Sequence, residues 1–267
     1  INNCDELSHV IQNTQKRTIG ISISAPWIFK HNTIEMFTGK LYNYHGAKLP
    51  KDRGGGGLSW RIMNSNKLGY YVIHQIDTGI DTGNIIFHKE YLYPADCVTP
   101  ADYMKYTIDI NIKQTKIFID QLLTNHNLKE IGQPSYLSTY FPRLNTDIHG
   151  YINWNWNGKD IESFINAFDS PYKGASSFIN GKIVRLKNCM FTNEDGGFHP
   201  FQQGIIYRKS NNLIFVACND GCIIIENILD NKDNNIFDVI KLGDRIYTPS
   251  KYLDDAMQTR VSYSSNG

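Results

Sequence analysis

Apolar residues alternate with small polar ones over Thr18–Ser24, and the two-residue period returns over Lys40–His45, so both segments read as strands. Between them His31–Phe37 reads as a brief helical turn, and ahead of them Asp5–Gln15 reads as a helix end with polar faces. Gly57–Asn66 follows as a helix, and Tyr70–Gln75 and Asn84–Leu92 as strands carrying β-branched and aromatic residues. From Pro100 to Leu123 the period lengthens, with Tyr103, Tyr106, Ile110, Ile117, Ile119 and Leu122 at helical spacing, long enough to cover a sheet face. This is the order of an open α/β sheet entered part-way through. Residue 1 is isoleucine, and the expectation is that upstream strands of the sheet precede it in the natural protein.

Gly132–Asp147, with Pro134 and Pro142, breaks the pattern and reads as a linker. Beyond it one helix, Lys159–Phe168, is followed by short strands at Ala175–Ile179, Lys182–Met190, Gly204–Tyr207, Leu213–Ala217 and Cys222–Ile228. Asn180-Gly181, Asp195-Gly196-Gly197 and Asp220-Gly221 separate them as turn signals, because Gly and Asn tolerate the positive φ of tight turns. Short strands at close spacing predict a small β-barrel. The division expected is a partial catalytic domain over 1–133, a linker over 134–148 and a C-terminal barrel over 149–267.

Charge removes several function classes. Lys+Arg number 27 and Asp+Glu 26, so nothing in the balance calls for DNA or an anionic membrane as partner. Leu213–Cys218 and Cys222–Ile225, the longest apolar runs, are far too short to span a bilayer. The cysteines at 4, 97, 189, 218 and 222 are odd in number and scattered, which fits buried thiols in a reducing cytoplasm better than a disulfide framework. Neither they nor His88, His126, His149 and His199 have metal-ligand spacing, so no metal is expected. His74, on a strand, reads as a satisfied sheet residue. Trp60 reads equally as core packing or as a stacking surface.

The segment from residue 43 to residue 83 carries the candidate chemistry. Asn43 and His45 are two apart near the end of a strand and so on the same side of it. The carboxyl ends of strands in open α/β sheets are where ligands bind. Asp81 lies in a turn between Gly79 and Gly83, within reach of the same edge. A carboxamide, an imidazole and a carboxylate there can stabilise an oxyanion and shuttle a proton in acyl transfer. From the residues alone, Asp77-Thr78-Gly79-Ile80-Asp81-Thr82-Gly83 reads equally as two consecutive turns. It also holds the Asp-Thr-Gly of aspartic proteases twice, but those enzymes draw their two carboxylates from separate halves of a β fold.

Asn43-x-His45, then Leu49-Pro50-x-x-Arg53-Gly54, then Asp77-x-Gly79-x-Asp81-x-Gly83 resembles the signature of the folate-dependent formyltransferases. That family includes methionyl-tRNA formyltransferases and amino-sugar N-formyltransferases. The likeness continues through Ser170-Pro171-Tyr172-Lys173-Gly174-Ala175 to Leu242-Gly243-Asp244-Arg245-Ile246. It implies a Rossmann-like formyltransferase sheet, here N-terminally incomplete, followed by an OB-like barrel. It also implies 10-formyltetrahydrofolate as formyl donor and a primary amine as acceptor. By that resemblance Asn43 donates its amide N–H to the formyl oxygen, His45 shares in the stabilisation and assists proton transfer, and Asp81 accepts the proton leaving the amine. Ile76, Asp77, Thr78 and Gly79 border the pterin crevice, with Trp27 and Ile28 on another wall. Four glycines, Gly54–Gly57, stand where many relatives carry bulkier residues, and a substrate-facing loop and a flexible turn are equal readings of them.

The acceptor follows from charge. Residues 134–267 hold 13 Lys+Arg and 14 Asp+Glu, a net of −1, which leaves 14 and 12 in residues 1–133, a net of +2. Neither half offers a polyanion the basic surface that RNA binding needs. An amino-sugar nucleotide is therefore the expected acceptor, methionyl-tRNA the alternative, and a non-catalytic binding relative the reading from another class.

Overall fold

The computed structural model describes residues 11, 18–25, 28–55, 57–124 and 128–261. The helix read over Asp5–Gln15 lies outside them apart from Ile11, and Trp27 lies outside them altogether.

The first half is built from β1 (Gly20–Ile23), α1 (His31–Met36), β2 (Leu41–His45), β3 (Arg53–Gly54), α2 (Gly57–Met63), β4 (Leu68–Gln75), β5 (Ile85–Leu92) and α3 (Pro100–Leu123). The sheet runs β1-β2-β4-β5. Only β1 and β2 are parallel; β4 is antiparallel to both β2 and β5. It is a mixed sheet rather than the parallel one a Rossmann-like order implies. The short return between β4 and β5 explains part of this, since a parallel connection needs a crossover of a dozen or more residues.

Strand parity decides what lies on each face. Tyr42, Tyr71, Ile73 and Ile86 pack beneath Phe118 of α3 on one face. Tyr70, Val72, Leu49 and Ile85 form a smaller cluster on the other. Asn43, His45 and His74 share the parity of this second set, and so project from the face that α3 leaves uncovered. The α3 helix is set by its N-terminus, where Thr99 and Asp102 form a reciprocal capping box with Pro100 between them.

Residues 128–149 join the two halves. They contain β6 (Tyr140–Phe141), paired in parallel with β3, and α4 (Thr146–His149). The second half holds α5 (Gly158–Ala167), β7 (Ala175–Ile179), β8 (Lys182–Thr192), β9 (Ile206–Ser210), β10 (Leu213–Cys218), β11 (Gly221–Leu229), β12 (Ile246–Tyr247) and α6 (Ser250–Gln258). Its antiparallel sheet runs β12-β7-β8-β11-β10-β9 and curls. The curl carries one edge toward the other: Ile205 bridges Arg245, Ile206 N donates to Asp244 O at 2.8 Å, and Ile246 N donates to Gly204 O at 2.7 Å. Asn180 and Gly181 adopt φ of 49° and 74°, as the β7–β8 hairpin requires.

Ile161, Phe164, Ile165 and Phe168, at i, i+3, i+4 and i+7, turn one face of α5 and its end into the curled sheet. The same core takes in Ile62, Tyr93, Cys97 and Tyr103 from the first half, and buried Ser59 Oγ donates to Ala167 O at 2.8 Å. Trp154 is buried in it, and its Nε1 donates to Ser177 Oγ at 2.9 Å. Cys97, Cys218 and Cys222 are buried free thiols and Cys189 is half-buried. No helix among the described residues is long and apolar enough to cross a membrane.

Candidate active site

β2 and β4 bring the site together through their register, which sets Asn43 opposite His74. Asn43 Nδ2 lies 3.2 Å from His74 Nε2, and His74 Nδ1 lies 2.7 Å from Gln75 O. A carbonyl only accepts, so Nδ1 of His74 carries a proton. Its Nε2 then accepts from Asn43 in the neutral ring, or donates toward Asp81 Oδ1, 3.4 Å away, in the protonated one. His74 is thus satisfied, as a sheet residue should be, but it is also the bridge between two of the three expected site residues. Its parity with Tyr70 and Val72 was visible in sequence; its register against Asn43 was not.

His45, at the end of β2, has Nε2 2.9 Å from Asp52 O, which fixes a proton on that nitrogen. Its Nδ1 faces Asp81 Oδ2 at 3.7 Å. Burial pushes the imidazole below its ordinary value, against the opposing pull of Asp81, so the ring is neutral at pH 7. Asp81 sits in its turn with a φ of 54°, and its Oδ2 accepts from Gly54 N at 2.9 Å. Burial alone would raise the carboxyl, but hydrogen bonding with His74, the neighbouring His45 ring and the Gly54 N–H outweigh it and bring it down to about 2. The outcome is a carboxylate and the lone pair of a neutral imidazole facing each other, two acceptors arranged to receive a proton.

Two cavities meet at His45. One, of about 250 Å³, is lined by Asn43, His74 and Asp81 together with Ile28, Ile76, Asp77 and Gly79; Thr78 is exposed and is not part of its wall. The other, of about 510 Å³, shares Tyr44, His45 and Gly54 with the first and extends past Gly55 and Gly57 to Trp60, Phe141, Asn64, Asn66 and Asn111. Gly54, Gly55 and Gly57 therefore border a cavity. Trp60 is half-buried, donates from Nε1 to Pro142 O at 2.9 Å and lines that cavity. Arg61 is the cavity's buried cation, and Gly46 O and Leu68 O accept from it. No cluster of metal-ligating side chains exists among the described residues.

Residues 146–237 match the family described as "Formyl transferase, C-terminal domain". A methionyl-tRNA formyltransferase of Acetivibrio thermocellus is 25% identical over 186 residues, 70% of this chain and 58% of the relative. Among solved structures, WlaRD, a sugar 3N-formyltransferase determined with dTDP and 5-N-formyl-THF, is 27% identical. It covers 78% of this chain and 71% of its own, with a TM-score of 0.54. By the matched domain and these relatives, the chain is similar to the folate-dependent formyltransferases. A further similar structure, the N-formyltransferase of Helicobacter canadensis with folinic acid and dTDP-3-aminofucose, is 25% identical. It covers 81% of this chain and 76% of its own, with a TM-score of 0.60. This chain spans less than two thirds of the length of the Acetivibrio thermocellus relative.

Proposed function

We propose that the chain transfers a formyl group from 10-formyltetrahydrofolate to a primary amine, and that the amine belongs to an amino-sugar nucleotide. The observation that carries the reading is the convergence of Asn43, His45 and Asp81 on one cavity, with His45 also lining the second. The smaller cavity is the one we assign to the folate: its apolar walls include Ile28 and Ile76, and Asp77, Gly79, Ile80 and Asp81 also line it. When bound there, the folate supplies an activated formyl carbon.

The chain's own residues supply the rest. An amide carries two N–H donors, so Asn43 can engage His74 with one and stabilise negative charge developing on the formyl oxygen with the other. His45, neutral, contributes through the same electrostatics. The amine must lose one proton as the new C–N bond forms and the folate nitrogen departs. Asp81 Oδ2 and His45 Nδ1, two acceptors 3.7 Å apart, receive it, and the departing nitrogen takes up a proton in its turn, so that no net proton is gained or lost.

The larger cavity favours the sugar. Its polar wall includes Asn64, Asn66, Asn111 and Thr107 beside Arg61 and Asp52, with Trp60 and Phe141 as aromatic surface. Amide and hydroxyl groups beside an aromatic surface are what a hydroxylated ring calls for. We further read residues 1–133 as catalytic domain, 134–148 as connector and 149–267 as an OB-like barrel. The test is formyl transfer from 10-formyltetrahydrofolate to a panel of amino-sugar nucleotides and to methionyl-tRNA, with Asp81→Ala as blank. Turnover with a sugar is expected. Turnover with tRNA alone would reassign the acceptor, and none at all by folded protein would leave a binding-only relative.

A further inference from the structure

The segment that joins the two halves is stitched into the site. Ile131 and Ile85 exchange both backbone hydrogen bonds at 2.9 Å, which anchors the chain two residues before Gln133. From that anchor Gln133 reaches two loops at once. Its Oε1 accepts from Arg53 Nε and Nη2 at 3.3 and 3.0 Å, and its Nε2 donates to Gly83 O at 2.6 Å. Farther along, Thr139 O accepts from Arg53 N at 3.0 Å and Thr139 Oγ1 accepts from Asp52 N at 3.0 Å.

The loops so joined are the ones that hold the reacting groups. Asp52 O and Gly54 N, from the first, bind His45 and Asp81. Gly83 closes the turn on which Asp81 sits, and a Cβ at Gly83 would lie 2.1 Å from Gln75 O, so that turn is packed tightly on the end of β4. The Arg53 side chain, buried within the first loop, directs its guanidinium at Gln133.

We propose that Gln133 is a positioning residue for the reaction: by spanning from Arg53 to Gly83 it fixes the Gly54 N–H against Asp81 Oδ2. Its effect on turnover rests on the formyl-transfer reading, whereas the clamp itself can be tested without it.

The experiment compares the full chain with Gln133→Ala and Gln133→Glu. Glutamate keeps an acceptor for Arg53 but has no donor for Gly83, so it breaks the span while sparing the fold. Both variants are expected to speed hydrogen exchange at the Gly54 amide by about tenfold or more while Ile73 in β4 stays protected. Both should lower kcat by about 10- to 100-fold with the acceptor KM within about twofold, because a misplaced proton acceptor costs rate rather than ground-state binding. Unchanged Gly54 exchange, or normal kcat in Gln133→Glu, overturns the proposal. Exchange that rises equally at Ile73 overturns it too, by making Gln133 merely structural. If the wild-type chain transfers no formyl group to any acceptor, the functional reading fails, and Gly54 exchange alone decides the clamp.

Discussion

His45 and Asp81 are both bases at neutral pH, for different reasons: burial lowers the imidazole, and donated hydrogen bonds and nearby imidazoles hold the carboxyl at about 2. Turnover should therefore be level through neutral pH and fall on an acid limb whose midpoint lies below the ordinary imidazole value of about 6.5. Stability moves in the same direction. Between pH ~6.5 and the lower folded value, the unfolded chain binds a proton at His45 that the folded chain does not, so stability is full above that window and declines as pH falls through it. Asp81 adds stability above the ordinary carboxylate range of about 4, lost as pH falls through about 2. Urea midpoints at pH 7.5 and 5.5 should differ less in His45→Gln than in the wild type; an equal difference would count against a buried neutral ring. Asn43→Ala should reduce kcat by about 10²- to 10³-fold, the usual loss of an oxyanion donor, with the melting temperature nearly unchanged.

Asn43, His45 and Asp81 were legible because each lies in a short run whose residue types and spacing are visible along one strand or one turn. His74 and Gln133 were not, because their roles depend on which residues face them across a register or across two loops. The elements divide in the same way. Pro100–Leu123 is a helix to the residue, since the Thr99–Asp102 box and a long apolar period are both local signals. β12 and α6 escaped notice: one is two residues long, and the other, Ser250–Gln258, buries none of its residues fully. β3 and β6 are equally short, yet their pairing can be tested through Gly54. Its φ is 96°, and a Cβ there would meet Phe141 O at 2.3 Å. Gly54→Ala should therefore break the ladder, cost roughly 1–3 kcal/mol in denaturant stability, and lower kcat more than tenfold by displacing the residue-54 N–H from Asp81. Wild-type turnover in that variant would detach the ladder from the chemistry.

At the scale of the whole molecule the two halves share one core. Ile62 of α2 is buried in the same cluster as Ile161 and Ile165 of α5. Removing its side chain should lower stability by about 2–4 kcal/mol. The loss should be seen in a single transition, whether followed by far-UV circular dichroism or by the fluorescence of Trp154 across the interface. Two separated transitions would mean that the halves unfold independently. The sequence marked 134–148 as a linker because Pro134 and Pro142 interrupt its periodicity, and periodicity does not record that such a segment can form a strand with a distant loop.

That ladder also tells an engineer where to cut. A chimera meant to carry the curled sheet of a relative on this first half is most naturally joined where the apolar period lapses, before Pro134. A junction there would hand Thr139, Tyr140 and Phe141 to the donor, and with them the hydrogen-bond partners of Asp52, Arg53 and Gly55. The graft should instead cross over after Pro142, so that the recipient retains the residues of that ladder that brace the loop beside Asp81.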